Sequence, residues 1–468
     1  MPDLEFVTTA GHTTSVTTTA VNRFRTKFRG ELLEPGHGTY DQARKVWNGA
    51  VDKRPALIAR CADTRDVIAA VLFARDHELL TSVRGGGHNY AGKAVCDGAL
   101  MIDLSPMKGI HVDPVRRAAR AEAGLRLGEF DRATHVCGLA TTLGINTDTG
   151  IAGLTLGGGY GWLAGKYGLA CDNVVAVDLV TADGRAIRAS SDEHAELFWG
   201  IRGAGANFGI VTAFEYRLHP VSLVVGGLVV HRLARETLQF FHEFSSAAPD
   251  EVSTAAVALT GPGGQPALGI VACHYGAPED GARLLKPLQL FAPPLVDLIA
   301  MRPYVEMQSL LDQEWPAGRR YYSKAHNLRD LTDAAIDTIL AYANRFPTAS
   351  STIALQQLHG AAARVPVSDT AFPHRYEHYD LIVHPATDDP ADWPGMVAWA
   401  QECWEALRPF ADRAVYVNAL EDVSDEGQQR VREAYGANYD RLARLKAEYD
   451  PTNFFRLNQN ITPAAHGA

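Results

Sequence analysis

Two dense glycine clusters constrain this chain of 468 residues more than any other feature. Residues 84–92 read Arg-Gly-Gly-Gly-His-Asn-Tyr-Ala-Gly, and residues 150–161 read Gly-Ile-Ala-Gly-Leu-Thr-Leu-Gly-Gly-Gly-Tyr-Gly. Consecutive glycines leave backbone N–H groups uncovered and permit positive φ angles, so the first loop can fold closely around a phosphate. His88 places an imidazole at the edge of this loop. Such an arrangement is compatible with a dinucleotide that is held firmly, even by a covalent bond. On this loop alone, a structural turn whose histidine makes an ordinary hydrogen bond is an equal alternative.

A nicotinamide-binding Rossmann domain is one reading of the second cluster, because glycines after a strand and an acid about 20 residues further on are its fingerprint. Asp178 lies at about that distance from Gly157, but it falls inside the strand-like run 174–180. No amphipathic helix begins at Gly161, and further glycines recur as far as Gly209. The pattern therefore disfavours a Rossmann domain.

Taken in order, the motifs of the chain resemble those of the FAD-linked oxidases of the vanillyl-alcohol oxidase superfamily, and within it the berberine-bridge-enzyme-like group. The resemblance covers most of the chain, and many separate matches occur in the right order. Besides the glycine clusters, it rests on Trp47-Asn48, Arg54-Pro55-Ala56-Leu57-Ile58, Tyr416-Val417-Asn418, Tyr435-Gly436, Asn438-Tyr439, Tyr449-Asp450-Pro451, Asn453-Phe454-Phe455 and Asn458-Gln459-Asn460-Ile461.

The resemblance implies a single covalent link to FAD. His88 matches the histidine that bonds to the 8α-methyl carbon of the flavin, and Asn146 stands where many members carry a second, cysteine tether. Cys137 and Cys171 lie elsewhere in the motif. The cofactor-binding residues implied by the resemblance are Arg84, Gly85, Gly86, Gly87, His88, Asn89, Gly92, Asn146, Thr149, Gly150, Gly153, Gly158, Gly159, Tyr160, Gly161, Leu169, Asn173, Val174, Gly209, Ile210, Val211, Asn418 and Asn458.

The resemblance also points to Tyr160 and Tyr416 as catalytic residues. A phenol near the flavin can act as a base if its pKa is lowered, or it can orient a substrate hydroxyl. The alternatives are that the Tyr160 ring covers the flavin edge and that Tyr416 caps the site without exchanging protons. Asn418 and Asn458 would then anchor polar groups of flavin or substrate. Thr149 matches the position that controls access of O2, and its small branched side chain implies an oxidase.

One departure from the family concerns a carboxylate that alkaloid-processing relatives carry on the strand after Phe372-Pro373-His374-Arg375. The alignment sets Val383 at that position, with Leu381 on the same face by the strand period of two. Asp380 and His384 are then expected on the other face. This disfavours a carboxylate-driven cyclisation and favours oxidation of an alcohol or a sugar by a tyrosine base.

Composition excludes several classes of protein. The formal net charge of −10 argues against nucleic acid and anionic membranes as partners. No apolar run approaches the length of a membrane span, and residues 1–19 lack the pattern of a signal peptide, so we expect a loose N-terminal arm. Six cysteines without paired spacing indicate reduced, mostly buried thiols and a cytoplasmic protein. His374 and His378 have i, i+4 spacing, but Pro373 disfavours the helix that zinc binding would need, so no metal site is expected.

Periodicity predicts an α+β protein. A βαβ rhythm over residues 54–104 builds a small α/β subdomain of the FAD-binding domain, ahead of a second, strand-rich one. After Pro220, strands at 224–230, 252–259, 268–275, 352–358 and 379–384 alternate with helices at 236–248, 279–290, 332–345 and 392–408. Strands beside amphipathic helices predict a substrate domain with an antiparallel sheet covered by helices. The predicted parts are an N-terminal arm at 1–34, the FAD-binding domain at 35–222, the substrate domain at 223–425 and a C-terminal segment at 426–468 that returns to the FAD domain.

The sequence therefore predicts an FAD-dependent oxidase that acts with O2 on a small molecule. The proposed substrate is an alcohol, a sugar or a secondary metabolite, which gives up a hydride to flavin N5 and leads to hydrogen peroxide. A flavin dehydrogenase with another electron acceptor remains open, and so does a catalytically silent flavin-binding protein. The intact Tyr160 and Tyr416 favour an enzyme.

Overall fold

A computed structural model describes residues 3–421 and 423–465, with the side chains of 423–426 left out. The expectation of a loose N-terminal arm is wrong for the described part of it, and Met1 and Pro2 lie outside that part. Strands Leu4–Val7 and Thr13–Val16 form a hairpin, and the helix Thr18–Lys27 follows. The Val7 N–H donates to the Gly98 carbonyl at 2.8 Å, and Phe6 is fully buried. Long-range pairing therefore holds the segment in place.

The first sheet is the predicted small α/β subdomain. The helix Thr64–Asp76 begins at Asp63, whose carboxylate accepts hydrogen bonds from the N–H groups of Arg65 and Asp66. This cap satisfies donors that have no partner inside the helix. The loop with the first glycine cluster leaves the last strand at Arg84. In spatial order, the strands are Glu31–Leu33, Leu57–Arg60, Leu100–Asp103 and Thr81–Arg84, the last three parallel to one another.

The second sheet is the predicted strand-rich subdomain. All of its neighbouring strands are antiparallel, and Val174–Val180 pairs with strands on both sides. This strand matches the sequence prediction at both ends. Asp178 lies within it and pairs with Arg120 and Arg188, so it is a structural residue. In spatial order, the strands are Ala186–Ser190, Val174–Val180, Ile210–Arg217, Ala118–Glu122 and Ile110–Asp113.

The large third sheet forms the predicted substrate domain. It is antiparallel throughout, and its long helices cover one face, which confirms the prediction, while the short helix Tyr304–Gln308 packs on the other face. Its strands are, in spatial order, Val296–Asp297, Leu223–Arg232, Pro266–His274, Val252–Thr260, Thr352–Leu358, His378–His384 and Lys324–Leu328, with Ala300–Pro303 also pairing with the second of these. The covering helices are Arg235–Ser246, Pro278–Leu290, Asp333–Ala343 and Trp393–Leu407.

The C-terminal segment packs against the FAD-binding part through Lys446, which is completely buried. Its ammonium donates to Asp450 and to the carbonyls of Asn207 and Phe455, at 2.7 to 2.8 Å. Burial lowers the pKa of Lys446 to about 8. The domain boundaries at residues 34, 222 and 425 stay predictions, and residues 466–468 lie outside the described part. Further helices are Leu127–His135, Ile151–Leu156, Ala164–Tyr167, Ala195–Ala204, Tyr304–Gln308, Ala361–Arg364, Val423–Tyr435 and Tyr439–Tyr449.

Candidate functional site

The two glycine clusters cross in direct backbone contact. A Cβ added at Gly86 would lie 2.3 Å from the Gly150 nitrogen, and one at Gly150 would lie 2.4 Å from the Gly86 nitrogen. A Cβ at Gly85 would meet Ala152 at 3.3 Å. Only glycine permits so close a crossing, which explains why both clusters carry it at these positions. The two sequence motifs, whose contacting glycines are 64 positions apart, therefore form one site.

The first loop has the properties of an anion cradle. Within the described residues, no backbone N–H of residues 85–89 donates a hydrogen bond to the protein. Uncovered N–H groups of this kind can bind a pyrophosphate. The loop closes at Gly92, whose φ of +65° and N–H bond to the Asn89 carbonyl define a turn. A cavity of about 380 Å³ adjoins Gly85, Gly86 and Arg126.

The guanidinium of Arg84 is bound to other protein groups and is not directed at the cradle. It forms a two-point ion pair with Asp103, with N···O distances of 2.6 and 2.9 Å, and donates to the carbonyls of Ala43 and Lys45. Asp103 is fully buried. The side chain therefore fixes the end of the strand from which the loop departs, and direct recognition of a phosphate by this guanidinium is not supported.

His88 lies in an enclosed, aromatic environment. Its ring stacks on Trp47 with centroids 4.7 Å apart, and Nε2 lies 3.4 Å from Oδ2 of Asp148. Burial lowers the pKa of His88 to about 3, and the positive charge of Arg126 adds to this effect. The imidazole is therefore neutral at physiological pH, which is the state that can act as a nucleophile.

The loop before the second cluster is rigidly held. The Asn146 side chain accepts a hydrogen bond from the Asp148 N–H at 2.9 Å, and the Asn146 carbonyl accepts one from the Thr149 N–H. Thr147 bonds to Asp312 of the substrate domain through its N–H at 2.9 Å. Asn146 thus stabilises the turn from which Thr149 projects. Its contact with a cofactor stays a prediction.

The hydroxyl group of Tyr416 accepts two hydrogen bonds from the protein. The Gly159 N–H donates at 3.0 Å and the Asn418 amide donates at 2.8 Å. Asn418 also donates to the Leu154 carbonyl, so both of its N–H groups serve to position the tyrosine. The φ angles of Gly158 and Gly159 are +129° and +88°, which a larger residue rarely adopts. The glycines therefore expose a backbone donor to Tyr416.

Tyr160 lies parallel to Tyr416 and completes an aromatic pair. Its hydroxyl lies 3.5 Å from Nε2 of His378, whose Nδ1 lies 2.7 Å from the Tyr376 carbonyl. Because a carbonyl only accepts, Nδ1 carries the proton and Nε2 accepts from Tyr160. The lowered pKa that a tyrosine base requires is not found in the protein alone. Burial raises the pKa of both phenols, and for Tyr416 the two donors offset this in part.

The strand His378–His384 alternates as predicted, but the prediction that its Leu381 and Val383 face meets the site is wrong. Leu381 and Val383 pack among the helices on the covered face of the large sheet. Asp380 and His384 lie on the opposite face, where the charge of Asp380 raises the pKa of both Tyr160 and Tyr416. A carboxylate of this strand, Asp380, therefore lies on the face that meets the two tyrosines.

Asp380 is an isolated buried acid. It is 1% exposed, and among the described residues its Oδ1 has no hydrogen-bond partner. Burial raises its pKa to about 7. Gln356 lies beside it on the neighbouring strand. A buried acceptor without a partner is costly unless a ligand satisfies it, so Asp380 is a strong candidate for contact with a substrate.

Two other groups of predicted cofactor residues lie at opposite ends of one strand. Leu169, Asn173 and Val174 precede or begin the strand Val174–Val180, whereas Ile210 pairs with its last residue. The Asn173 amide donates to the carbonyls of Tyr167 and Leu169, so it serves to hold the loop. At about 3.3 Å per residue, the two ends of this strand are about 20 Å apart. A single small ligand does not reach both ends, whereas an extended dinucleotide does. The remaining members of these groups are Gly209 and Val211, next to Ile210.

The C-terminal motif offers acceptors to a ligand. Asn458 donates to the carbonyls of Ala206 and Phe455, which positions its side chain. Among the described residues, Oδ1 of Asn458, Oε1 of Gln459 and Oδ1 of Asn460 are buried without a donor. FAD carries the donors that these atoms lack, in its ribityl hydroxyls and ring N–H. Together with the uncovered N–H groups at 85–89, they fit FAD. Two further glycines belong to the second cluster. A Cβ added at Gly153 would meet no atom within 4 Å, whereas one added at Gly161 would meet the backbone of Leu143.

No group of metal ligands occurs in residues 3–421 and 423–465. His374 lies within hydrogen-bond distance of the carbonyls of Val415 and Ala434, and His378 belongs to a strand. The same residues contain no helix that is long and apolar enough to cross a membrane. All six cysteines are free and four of them are buried, which confirms the expectation of mostly buried thiols.

Several residues of the site escaped the sequence analysis. No role was predicted for Asp148, and Asp380 was predicted to face away from the site. His378 was considered only as a zinc ligand. For Asp380 a signal existed, because His378, Asp380 and His384 alternate with apolar residues, and a polar face of a buried strand indicates a site.

Comparisons with known proteins agree with this geometry. A family described as an FAD binding domain matches residues 55–190, and one described as berberine and berberine like matches residues 415–462. An FAD-linked oxidoreductase of Dictyostelium discoideum is 35% identical over 456 residues, which cover 95% of this chain and 97% of that protein.

Solved structures show the same fold. The structure of 6-hydroxy-D-nicotine oxidase from Arthrobacter nicotinovorans has a TM-score of 0.85 at 30% identity, covering 93% of this chain and 98% of that one. The carbohydrate oxidase of Microdochium nivale has a TM-score of 0.83 at 26% identity, covering 95% and 100%. The chain therefore belongs to the FAD-linked oxidoreductases of the berberine-bridge-enzyme-like family.

Proposed function

We propose that this oxidoreductase is an oxidase that takes a hydride from a carbon bearing a hydroxyl group, in an alcohol or a sugar. When bound, FAD supplies the hydride acceptor and passes the electrons to O2, which yields hydrogen peroxide. We propose that FAD is linked once, through His88. The observation that carries the proposal is the Tyr416 hydroxyl, which accepts bonds from the Gly159 N–H and the Asn418 amide.

Tyr416 is proposed as the group that takes the proton from the substrate hydroxyl. Two donors aimed at one phenol oxygen stabilise the phenolate that this transfer produces. Its pKa is raised by burial, so the phenol is protonated in the resting protein and must lose this proton before it can serve as a base. The neighbouring Tyr160 stacks on Tyr416 and donates its hydroxyl to Nε2 of His378, which fixes its orientation.

Asp380 is proposed to bind a second polar group of the substrate. Its unpartnered Oδ1 faces the tyrosine pair from the large sheet, and Gln356 adds an amide on the same face. A substrate with several hydroxyl groups satisfies both side chains. This supports a sugar or polyol, in keeping with the name of the carbohydrate oxidase. The amine substrate named by 6-hydroxy-D-nicotine oxidase is the competing class, since a carboxylate also binds a cation.

Thr149 supports the use of O2 as the acceptor. Its side chain is small, and its backbone is fixed by bonds to Asn146 and Leu127, so the residue does not need to move to leave a path open. The six free cysteines support a reducing compartment, and we propose the cytoplasm.

A screen of sugars, polyols, alcohols and cyclic amines under anaerobic conditions tests the proposal. We expect a sugar or alcohol to bleach the flavin absorption band, and air to restore it with release of one hydrogen peroxide per flavin. Restoration by a dye but not by air would make the enzyme a dehydrogenase. Bleaching by amines alone would overturn the substrate class. A flavin that light reduces but no compound bleaches would indicate a flavin-binding protein without turnover.

A further inference from the structure

We propose that Asp148 is the positioning residue for covalent attachment of FAD, and that it directs Nδ1 of His88 to form the bond. This inference rests on the proposed link through His88. It adds the residue that positions the imidazole, Asp148, and the ring atom that forms the bond, Nδ1. Asp148 has no role in the oxidation itself as proposed above. It acts through His88, so its effect is on the formation of the holoenzyme.

The geometry fixes the two nitrogen atoms of His88 in different roles. Oδ2 of Asp148 lies 3.4 Å from Nε2, and a carboxylate only accepts, so Nε2 carries the hydrogen. Nδ1 then carries the lone pair, and no described residue forms a hydrogen bond to it. The ring cannot turn freely, because it stacks on Trp47 with 20° between the planes. The nucleophilic atom is therefore selected before FAD binds.

Asp148 is itself held in place from the other side. Oδ1 forms an ion pair with Arg126, whose guanidinium also donates to the Asp148 carbonyl at 3.0 Å. The Asp148 N–H donates to the Asn146 side chain at 2.9 Å. One contact to the carboxylate and two to the backbone thus hold Asp148, which leaves Oδ2 for His88. Asn146, which stands at the position of the missing cysteine tether, therefore helps to hold Asp148 beside His88.

The atoms and electrons of the attachment balance as follows. One C–H bond of the 8α-methyl group would break first, with its proton passing to solvent and its electron pair to the flavin. The lone pair of Nδ1 would then form the bond to that carbon, and the Nε2–H bond would break. Asp148 stabilises the positive charge on the ring as the bond forms and then receives the Nε2 proton. Two electrons remain on the flavin, and dioxygen removes them with two protons as hydrogen peroxide.

The rate of attachment tests the inference. Full-length apoprotein from a riboflavin-starved host is mixed with FAD in air, and the flavin that stays on the chain after acid precipitation is followed with time. Total bound FAD is measured before precipitation. The variants are Asp148→Asn, Asp148→Glu and, as a control, Asp337→Asn. Asp337 also pairs with an arginine at the surface, and its exposure of 53% is close to the 45% of Asp148.

We expect Asp148→Asn to bind FAD but to attach it on the order of 10²-fold more slowly, the scale of a lost proton acceptor. Asp148→Glu should recover part of the rate, and Asp337→Asn should match the wild type. Attachment in Asp148→Asn at the wild-type rate overturns the inference but leaves the link through His88 intact. Wild-type protein that releases all its FAD on precipitation instead overturns the link itself.

The site of the bond gives a second test that does not depend on a folded variant. The flavin peptide from a digest of the wild-type holoenzyme is analysed by NMR to identify the alkylated nitrogen. We expect a bond to Nδ1 of His88. A bond to Nε2 contradicts the inference, because that nitrogen would have to face the flavin and not Asp148.

Discussion

The rings of Tyr160 and Tyr416 lie parallel, with centroids 4.3 Å apart and 7° between their planes. One tyrosine belongs to the second glycine cluster and the other to the C-terminal motif, which are 256 positions apart in the chain. Their hydroxyls have different partners. The Tyr416 hydroxyl accepts from Gly159 and Asn418, and the Tyr160 hydroxyl donates to His378. The pair therefore combines one phenol oxygen that accepts two hydrogen bonds with a second phenol that donates one.

The covalent link predicts how the protein behaves on denaturation. Acid-precipitated wild-type protein should remain yellow, with one flavin on the peptide that contains His88. His88→Ala should bind FAD but release it on precipitation, because the nucleophile is lost. Absorbance of pellet and supernatant and mass spectrometry of the digest measure this. A flavin attached to a cysteine would refute the single link.

The crossing of the glycine clusters predicts a sharp difference between two glycines. Gly86→Ala inserts a Cβ 2.3 Å from the Gly150 nitrogen, so the two loops must separate. We expect the free energy of unfolding to fall by about 3 kcal/mol, at the upper end of overpacking effects, and FAD to be lost. Gly395→Ala is the control, because it lies in a helix with nothing within 4 Å. Urea unfolding curves compare the two, and equal midpoints would contradict the crossing.

Asp380 predicts a specific dependence of stability on pH. Its pKa is about 7 when folded and about 3.9 when unfolded, so the folded state holds the proton more tightly. Its contribution is therefore fully present below pH 4 and is lost as the pH rises to 7, by about 4 kcal/mol in total. Asp380→Asn should thus gain stability over the wild type at pH 8 and not at pH 4. Urea unfolding at both pH values measures this, with Asp192→Asn at the surface as a control. Parallel curves would contradict the burial of the charge.

Thr149 predicts the reaction with oxygen. The wild-type enzyme, once its flavin is reduced, should react rapidly with O2 in stopped flow, with a rate proportional to oxygen concentration. Thr149→Leu should slow this step by about tenfold or more, because a bulkier side chain raises the barrier to entry of O2. Flavin reduction by the substrate should not change. Slow reoxidation of the wild type, with rapid reduction of a dye, would point to a dehydrogenase.

The fold was largely predictable where local signals agree with long-range packing. The helix Thr64–Asp76, capped by Asp63, supplies the helix of the predicted βαβ rhythm, and the strand Val174–Val180 has its predicted ends. The N-terminal hairpin was missed because its stability comes from distant partners such as Gly98. The face of the strand His378–His384 that meets the site was predicted wrongly. Alternation shows only that the two faces differ, and the packed structure is needed to show which of them the helices cover. The ion pair between Arg84 and Asp103 was not predictable from the sequence either, because Asp103 is on another strand.

The pKa values of the tyrosines also required the structure. A tyrosine in a motif gives no measure of its burial, and burial raises the pKa of both rings. The two donors to Tyr416 come from a backbone N–H and from an amide, and the orientation of that backbone depends on the positive φ of Gly159. The residues of the pair are therefore predictable from the sequence, but the protonation state of their hydroxyl groups is not.

The rate of flavin reduction in Tyr416→Phe, measured by anaerobic stopped flow with a substrate from the screen, tests the central claim most directly. The substitution removes one oxygen and leaves the stack on Tyr160, so FAD content should match the wild type. We expect the rate to fall on the order of 10²-fold or more, the usual contribution of a general base. A variant that holds its FAD and reduces it at the wild-type rate would contradict the account.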